Sequence, residues 1–305
     1  MAEGDSPTIA RLRVRVALRE AREAAGLTQL QVAEEMEWSN SKVIRIEKGD
    51  VSVSINDLRG LLALLGIRDK TKINSLLTDA RIARTRQKLD SAWWHEERFR
   101  DQMSESLRKF VEYEAETSQL RSFNIFYIPG PLQTPEYGTA LTGTWMDEAD
   151  FSQDKVDALV EARAHRREAL IRRGDSLEYL VLLDQSVLMR SFGGRAAFIE
   201  QLRQLIELSE RGLYKMRMLP FSLEIAIANN GSFELATVGV GRANNEVMYR
   251  ETGVSDEIVE TRPDTLRHRK RFDQLWKFAD SEGDTTAFVQ KRIDELEANP
   301  PVVKS

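Results

Sequence analysis

Between Arg22 and Gly49 the chain carries side chains suited to hydrogen bonding with nucleic-acid bases and phosphates. Asn and Arg match adenine and guanine edges through two-point hydrogen bonds, Ser adapts to either, and Ile can meet a thymine methyl. Those types gather at Asn40, Ser41, Ile44 and Arg45. At 3.6 residues per turn they share one helix face while Val43, Ile46 and Glu47 share the other, so the outer face can enter a DNA major groove. Gln29, Lys42, Thr28 and Lys48 suit the phosphates, whose contacts fix position rather than sequence.

Two helices must hold these groups. Thr28 is placed to cap the first, taking an orphan amide near Leu30 or Gln31, and Ser39 to cap the second. Val32, Ala33 and Met36 then face inward, and the small Ala33 lets the helices cross closely. Upstream, Leu12, Val16, Leu18 and Ala25 ride on a helix studded with Arg and Glu that ends at Gly26. Breaks at Trp38 to Asn40, at Gly49 to Val53 and at Gly66 divide the region up to about Arg86 into five short helices.

The segments Gly26-Leu27-Thr28-Gln29, Val32-Ala33, Ser39 to Arg45 and Ile46-Glu47-Lys48-Gly49 resemble the XRE family, the phage-repressor type of helix-turn-helix, over residues 11 to about 67. That resemblance implies an architectural pair between Arg22, late in the first helix, and Glu47, which ends the recognition helix. The competing readings, an accidental match of a capped four-helix piece or a fold retained only for protein contacts, are outweighed by a spacing that holds across two helices and a turn.

Other reactive residue types fall short of a site. His95, His165 and His268 lie amid Arg, Glu or Trp rather than at metal spacing, and are read as exposed helix positions. Ser39 to Lys42 spells Ser-x-x-Lys, the pattern of some acylating enzymes, but within the recognition helix a cap and a phosphate contact suffice. Gly193-Gly194-Arg195 reads as a flexible helix start, and Glu251, Asp256, Glu257 and Glu260 as a solvated loop without calcium-loop spacing. No catalytic residue, metal or cofactor is expected.

The chain has 305 residues, net charge -5 and no cysteine. This excludes disulfides and thiolate metal sites, and without a leader or a long apolar run the chain reads as cytoplasmic. Residues 1–90 carry 16 Lys+Arg against 13 Asp+Glu, leaving 28 against 36 elsewhere, so the basic share is N-terminal. The boundaries expected are a disordered tail over 1–10, the DNA-binding domain over 11–83, a linker over 84–92, a C-terminal domain over 93–297 and a tail over 298–305.

In that C-terminal part, longer helices are expected from Lys88 to about Glu116, with Trp93, Trp94, Phe99, Leu107, Phe110 and Val111 as an apolar stripe. Strands are predicted over Phe123 to Ile128, Leu177 to Leu183, Tyr214 to Leu219, Phe233 to Val238 and Glu246 to Glu251. Helices are predicted over Val156 to Arg172, Ala196 to Glu210, Leu266 to Phe278 and Thr285 to Leu296. The fold class is therefore an all-α helix-turn-helix domain followed by an α+β domain. Thr134-Pro135 should open a further helix, with Thr as cap and Pro first, after an elbow that buries Leu132 and Tyr137. Trp93, Trp94, Phe126 and Tyr127 could line a pocket or a core.

Trp93-Trp94, the run from Pro129 to Tyr137, Leu219-Pro220-Phe221 and Gly231 to Leu235 resemble an actinobacterial regulator family that joins an XRE reader to an antitoxin-like C-terminal domain of unknown function. Pro131 stands where that family leads us to expect Leu, and Gly138 where we expect Ala. The resemblance implies a transcriptional regulator controlled by a small protein from a neighbouring gene. The expected assembly is a homodimer on a palindromic double-stranded operator, with half-sites roughly 34 Å apart. The alternative is an antitoxin-like protein that chiefly sequesters that small partner and binds DNA for autoregulation.

Overall fold

A computed structural model describes residues 7–84, 92–143, 152–224, 231–238, 245–251 and 255–298. The outermost residues at both ends and most of the expected linker lie outside these. Two compact units result, one comprising Met1–Asp90 with Val238–Asn245, the other Ser91–Thr237 with Glu246–Ser305.

The first unit is five helices: α1 (Pro7–Ala24), α2 (Gln29–Glu35), α3 (Asn40–Lys48), α4 (Ile55–Leu64) and α5 (Lys70–Ile82). Side-chain oxygens of Thr28, Ser39, Ser54 and Asp69 cap α2 to α5 in turn, each satisfying an amide that the first helical turn leaves without a partner. Val14, Leu18, Val32, Ala33, Val43, Ile46, Leu58, Leu62 and Leu77 form one core. Helix α1 starts earlier than expected. Pro7 has the φ that a first turn needs, and Thr8, Ile9 and Ala10 are buried rather than part of a disordered tail.

The second unit is a six-stranded mixed sheet in the order β3-β2-β1-β4-β5-β6. Its strands are β1 (Thr117–Asn124), β2 (Glu178–Asp184), β3 (Lys215–Leu219), β4 (Phe233–Val238), β5 (Asn245–Glu251) and β6 (Asp256–Val259). Strands β1, β2 and β3 pair in parallel, with Leu120 opposite Tyr179 and Leu182 opposite Arg217. Parallel neighbours need long crossovers, supplied by α8 (Pro135–Gly143) and α9 (Gln153–Arg173), then by α10 (Gly194–Glu210). Helices α6 (Glu97–Gln102) and α7 (Glu105–Glu116) precede the sheet, and α11 (Arg262–Phe278) and α12 (Glu282–Ala298) end the described chain. Phe123, Leu182, Leu219, Phe233, Met248, Phe272 and Leu275 share one core.

The sheet corrects three expectations. The first strand begins at Thr117, directly after α7, rather than at Phe123. Residues 117–124 carry Ser, Gln and Arg among their apolar positions, which obscured the period-two signal. The expected solvated loop is the short strand β6, antiparallel to β5 with Tyr249 opposite Ile258. Glu260 is buried beside the Tyr113 hydroxyl at 3.3 Å. The region before β1 is a 3-10 turn at Trp93–His95 and two helices separated by the Ser104 cap rather than long helices.

Candidate nucleic-acid interface

Helix α2 opens with a reciprocal cap: Gln31 N donates to Thr28 Oγ1 at 3.2 Å, and Thr28 N donates to Gln31 Oε1 at 2.9 Å. The turn to α3 bends through Glu37, a non-glycine residue at φ 54, and is closed by Trp38 N donating to Ala33 O at 2.8 Å. Ser39 Oγ then accepts from Lys42 N at 3.3 Å. Helix α3 stops at Gly49, whose φ of 85 is the left-handed value that favours glycine. A Cβ at Gly49 would also lie 2.9 Å from Arg15 Cδ. Arg15 Nη1 donates to Lys48 O at 2.9 Å, satisfying a carbonyl of the last turn. This buried arginine was missed in the sequence; its neighbours Val14 and Val16 are buried too.

Val43, Ile46 and Glu47 are buried, Ile44 is half-buried, and Asn40, Ser41, Arg45 and Lys48 are exposed. Among the described residues, the side chains of Asn40, Ser41 and Arg45 make no hydrogen bond or ion pair. The buried face is fixed by charge: Arg22 Nε and Nη2 donate to Glu47 at 2.6 and 3.0 Å, and Arg22 Nη1 donates to Leu27 O at 2.9 Å. The hydrogen bond with Glu47 raises the Arg22 pKa above its ordinary value although burial opposes it.

Three side chains read as phosphate contacts are engaged inside this unit. Gln29 Nε2 donates to Glu47 Oε2 at 2.7 Å, and Thr28 is occupied by its cap. Lys42 Nζ reaches Asp57 at 3.1 Å and sits 3.6 Å from the Trp38 ring centroid. The Ser39 and Lys42 pair is thus used for a cap and an ion pair.

In the second unit the four aromatics considered together separate. Trp93 stacks on His165 at 4.9 Å and meets Phe99 and Trp94 edge-on, whereas Phe126 is exposed and Tyr127 donates to Glu251. Leu132 and Tyr137 are fully buried, and Thr134 Oγ1 caps α8 by accepting from Tyr137 N at 3.2 Å. The histidines differ from their expected exposure. His95 and His165 are half-buried, while His268 is buried, its Nδ1 donating to Asp264 O at 2.8 Å. Gly193 and Gly194 both adopt left-handed φ at the start of α10. Among the described residues no group of three His, Cys, Asp or Glu could hold a metal.

Sequence reasoning also missed the charged centre of this unit. Arg166, on α9, donates to Glu114 at 2.7 and 2.9 Å and to Glu234 at 3.0 Å. Burial pulls its pKa down, but the two carboxylates more than offset that. Gly130 belongs to the same arrangement, since a Cβ there would lie 2.8 Å from Arg166 Nη1. The glycine of the Pro129-Gly130-Pro131 turn is needed for this close approach.

A family model described as a helix-turn-helix domain matches residues 13–76. One described as a domain of unknown function, DUF5753, matches residues 107–291. No curated protein and no solved structure matches the chain. Among the described residues no helix is long and apolar enough to cross a membrane. The first match supports DNA binding and transcription regulation through α1 to α5. Because the second spans more than half of the 305 residues, the chain belongs to the DUF5753 family, carried here behind a helix-turn-helix domain.

Proposed function

We propose that this chain is a sequence-specific transcriptional regulator of the XRE type that acts on DNA as a cytoplasmic homodimer and has no catalytic activity. In this reading the second unit supplies dimerisation and a surface for a small protein encoded nearby. The supporting observation is the division of α3: one face is anchored by Val43, Ile46 and the Arg22–Glu47 pair, and the other presents Asn40, Ser41 and Arg45 without side-chain partners among the described residues. Ile44 is the apolar member of the reading face. Base contacts specify and phosphate contacts position, so these side chains set preference. Lys48, Lys42 and Gln29 serve the backbone.

The test is footprinting of the full chain on its own promoter, with and without the neighbouring gene's product, followed by titrations on matched and scrambled duplexes. Arg45→Ala should weaken specific binding by about 1–3 kcal/mol and leave scrambled DNA nearly unaffected, whereas Lys42→Ala should lower both together with the salt slope. Equal losses for both variants on every duplex would overturn the assignment.

A further inference from the structure

The second unit contains a cavity of about 500 Å³. It is many times the volume of one water and within the range of small-molecule sites. Its wall is assembled from β1, β4, β5, β6, α6, α7, α9 and the Pro129-Gly130-Pro131 turn, and Asp101, Lys155 and Asp256 also line it. The Arg166 cluster with Glu114 and Glu234 stiffens one side, each charge there being satisfied.

Three other groups in the wall lack a full set of partners among the described residues. Asn124, 5% exposed at the end of β1, makes no side-chain hydrogen bond among the described residues, and its Oδ1 is buried. Gln133 donates through Nε2 to Ile128 O at 2.7 Å, yet its buried Oε1 accepts from no group among the described residues. The Arg163 guanidinium is half-buried and donates to Thr142 Oγ1 at 3.0 Å, but forms no ion pair among the described residues. Burial lowers its pKa accordingly. Glu251 stands at the exposed rim with Tyr127 as its donor.

Folded proteins rarely leave buried polar groups unpaired, because each costs its desolvation energy without return. A purely anionic ligand would answer Arg163 and leave the buried carboxamide oxygens of Asn124 and Gln133 wanting donors. A purely cationic one would answer the acceptors and leave Arg163. Both are met by a small frame bearing one group of each kind. Leu107, Leu159 and Phe233 add apolar wall for a hydrophobic substituent.

We propose that the cavity of the second unit binds a small zwitterionic metabolite with an apolar substituent, an amino acid or short peptide. Its carboxylate would face Arg163, and its ammonium the Asn124 and Glu251 side. This site is independent of whether α3 reads DNA.

Calorimetric titration of the full chain tests it, with L-leucine, L-phenylalanine, leucyl-leucine and trileucine as zwitterions. N-acetyl-leucine serves as the anion alone and leucinamide as the cation alone. At least one zwitterion should bind saturably, about tenfold or more tighter than either blocked leucine, because each blocked form leaves one buried partner unmet. Arg163→Met should remove that advantage over leucinamide. Asn124→Leu, which deletes an amide that makes no hydrogen bond among the described residues, should keep the circular dichroism spectrum and weaken the zwitterion by a similar factor. If Arg163→Met unfolds by circular dichroism, Arg163→Lys replaces it, keeping the charge but losing the planar fork, with a several-fold loss expected. Absence of saturable binding by all four zwitterions, or binding that Asn124→Leu and the folded Arg163 variant both retain at full strength, overturns the proposal.

Discussion

Removing the Glu47 carboxylate isolates what holds the recognition helix in place. Glu47 is 7% exposed and accepts from Arg22 at 2.6 and 3.0 Å and from Gln29 at 2.7 Å. After Glu47→Ala the Arg22 guanidinium keeps, among the described residues, the Leu27 carbonyl at 2.9 Å and the exposed Glu23 at 3.5 Å. Stranding one member of a buried pair costs about 3–5 kcal/mol. The Arg22 side chain retains 12% exposure, so water recovers part of the loss and about 2–4 kcal/mol is expected. With about 1.4 kcal/mol per factor of ten, amide exchange through opening of α2 and α3 should accelerate about 30- to 700-fold in the full chain. Hydrogen exchange read by mass spectrometry measures this directly. A change below about threefold would refute the reasoning. The double variant Arg22→Met with Glu47→Leu should regain much of the loss, since apolar replacement of a buried pair is often neutral. Base preference should change less than stability, because Glu47 lies on the buried face of α3.

Two further substitutions probe the second unit. Gly130→Ala places a methyl 2.8 Å from a guanidinium pinned by two carboxylates, and should destabilise that unit by about 1–3 kcal/mol in urea unfolding; a neutral result would mean that Arg166 can move aside. Burial pushes the Glu234 carboxyl above the ordinary carboxylate value, against the pull of Arg166 and with the push of Glu114. The folded state therefore holds this proton more tightly than the unfolded chain does, and its stabilising contribution fades as pH rises from about 4.3 through the raised folded value. Glu234→Gln should flatten that pH slope of the urea midpoint, and an unchanged slope would remove Glu234 as its source.

The first unit was largely legible because its decisive interactions are local or lie on one helix face. Thr28 with Gln31, and Ser39 with Lys42, are separated by three residues, and the inward Val32, Ala33, Val43 and Ile46 follow helical spacing. The second unit was legible in most of its strands and helices, including the Thr134 cap, but its polar chemistry was hidden. Arg166 meets partners 52 and 68 residues away, and nothing in the helical pattern of α9 distinguishes it from Arg163 or Arg167. Strand β6 was lost because Asp256 and Glu257 read as a loop until β5 is placed beside them.

Charge counting says little about the DNA face for the same physical reason. Several cations of residues 1–90 are matched within the unit: Arg13 by Asp79, Arg22 by Glu47 and Lys42 by Asp57. Arg15 is spent on the Lys48 carbonyl. Sequence counts weight all of these equally with Arg45, whose guanidinium is exposed and has no internal partner among the described residues. A reading surface is defined by polar groups that the fold leaves unsatisfied on a face that it also holds still. On α3 these conditions coincide at Asn40, Ser41 and Arg45, and the rigidity comes from the carboxylate of Glu47, two residues beyond the last of them.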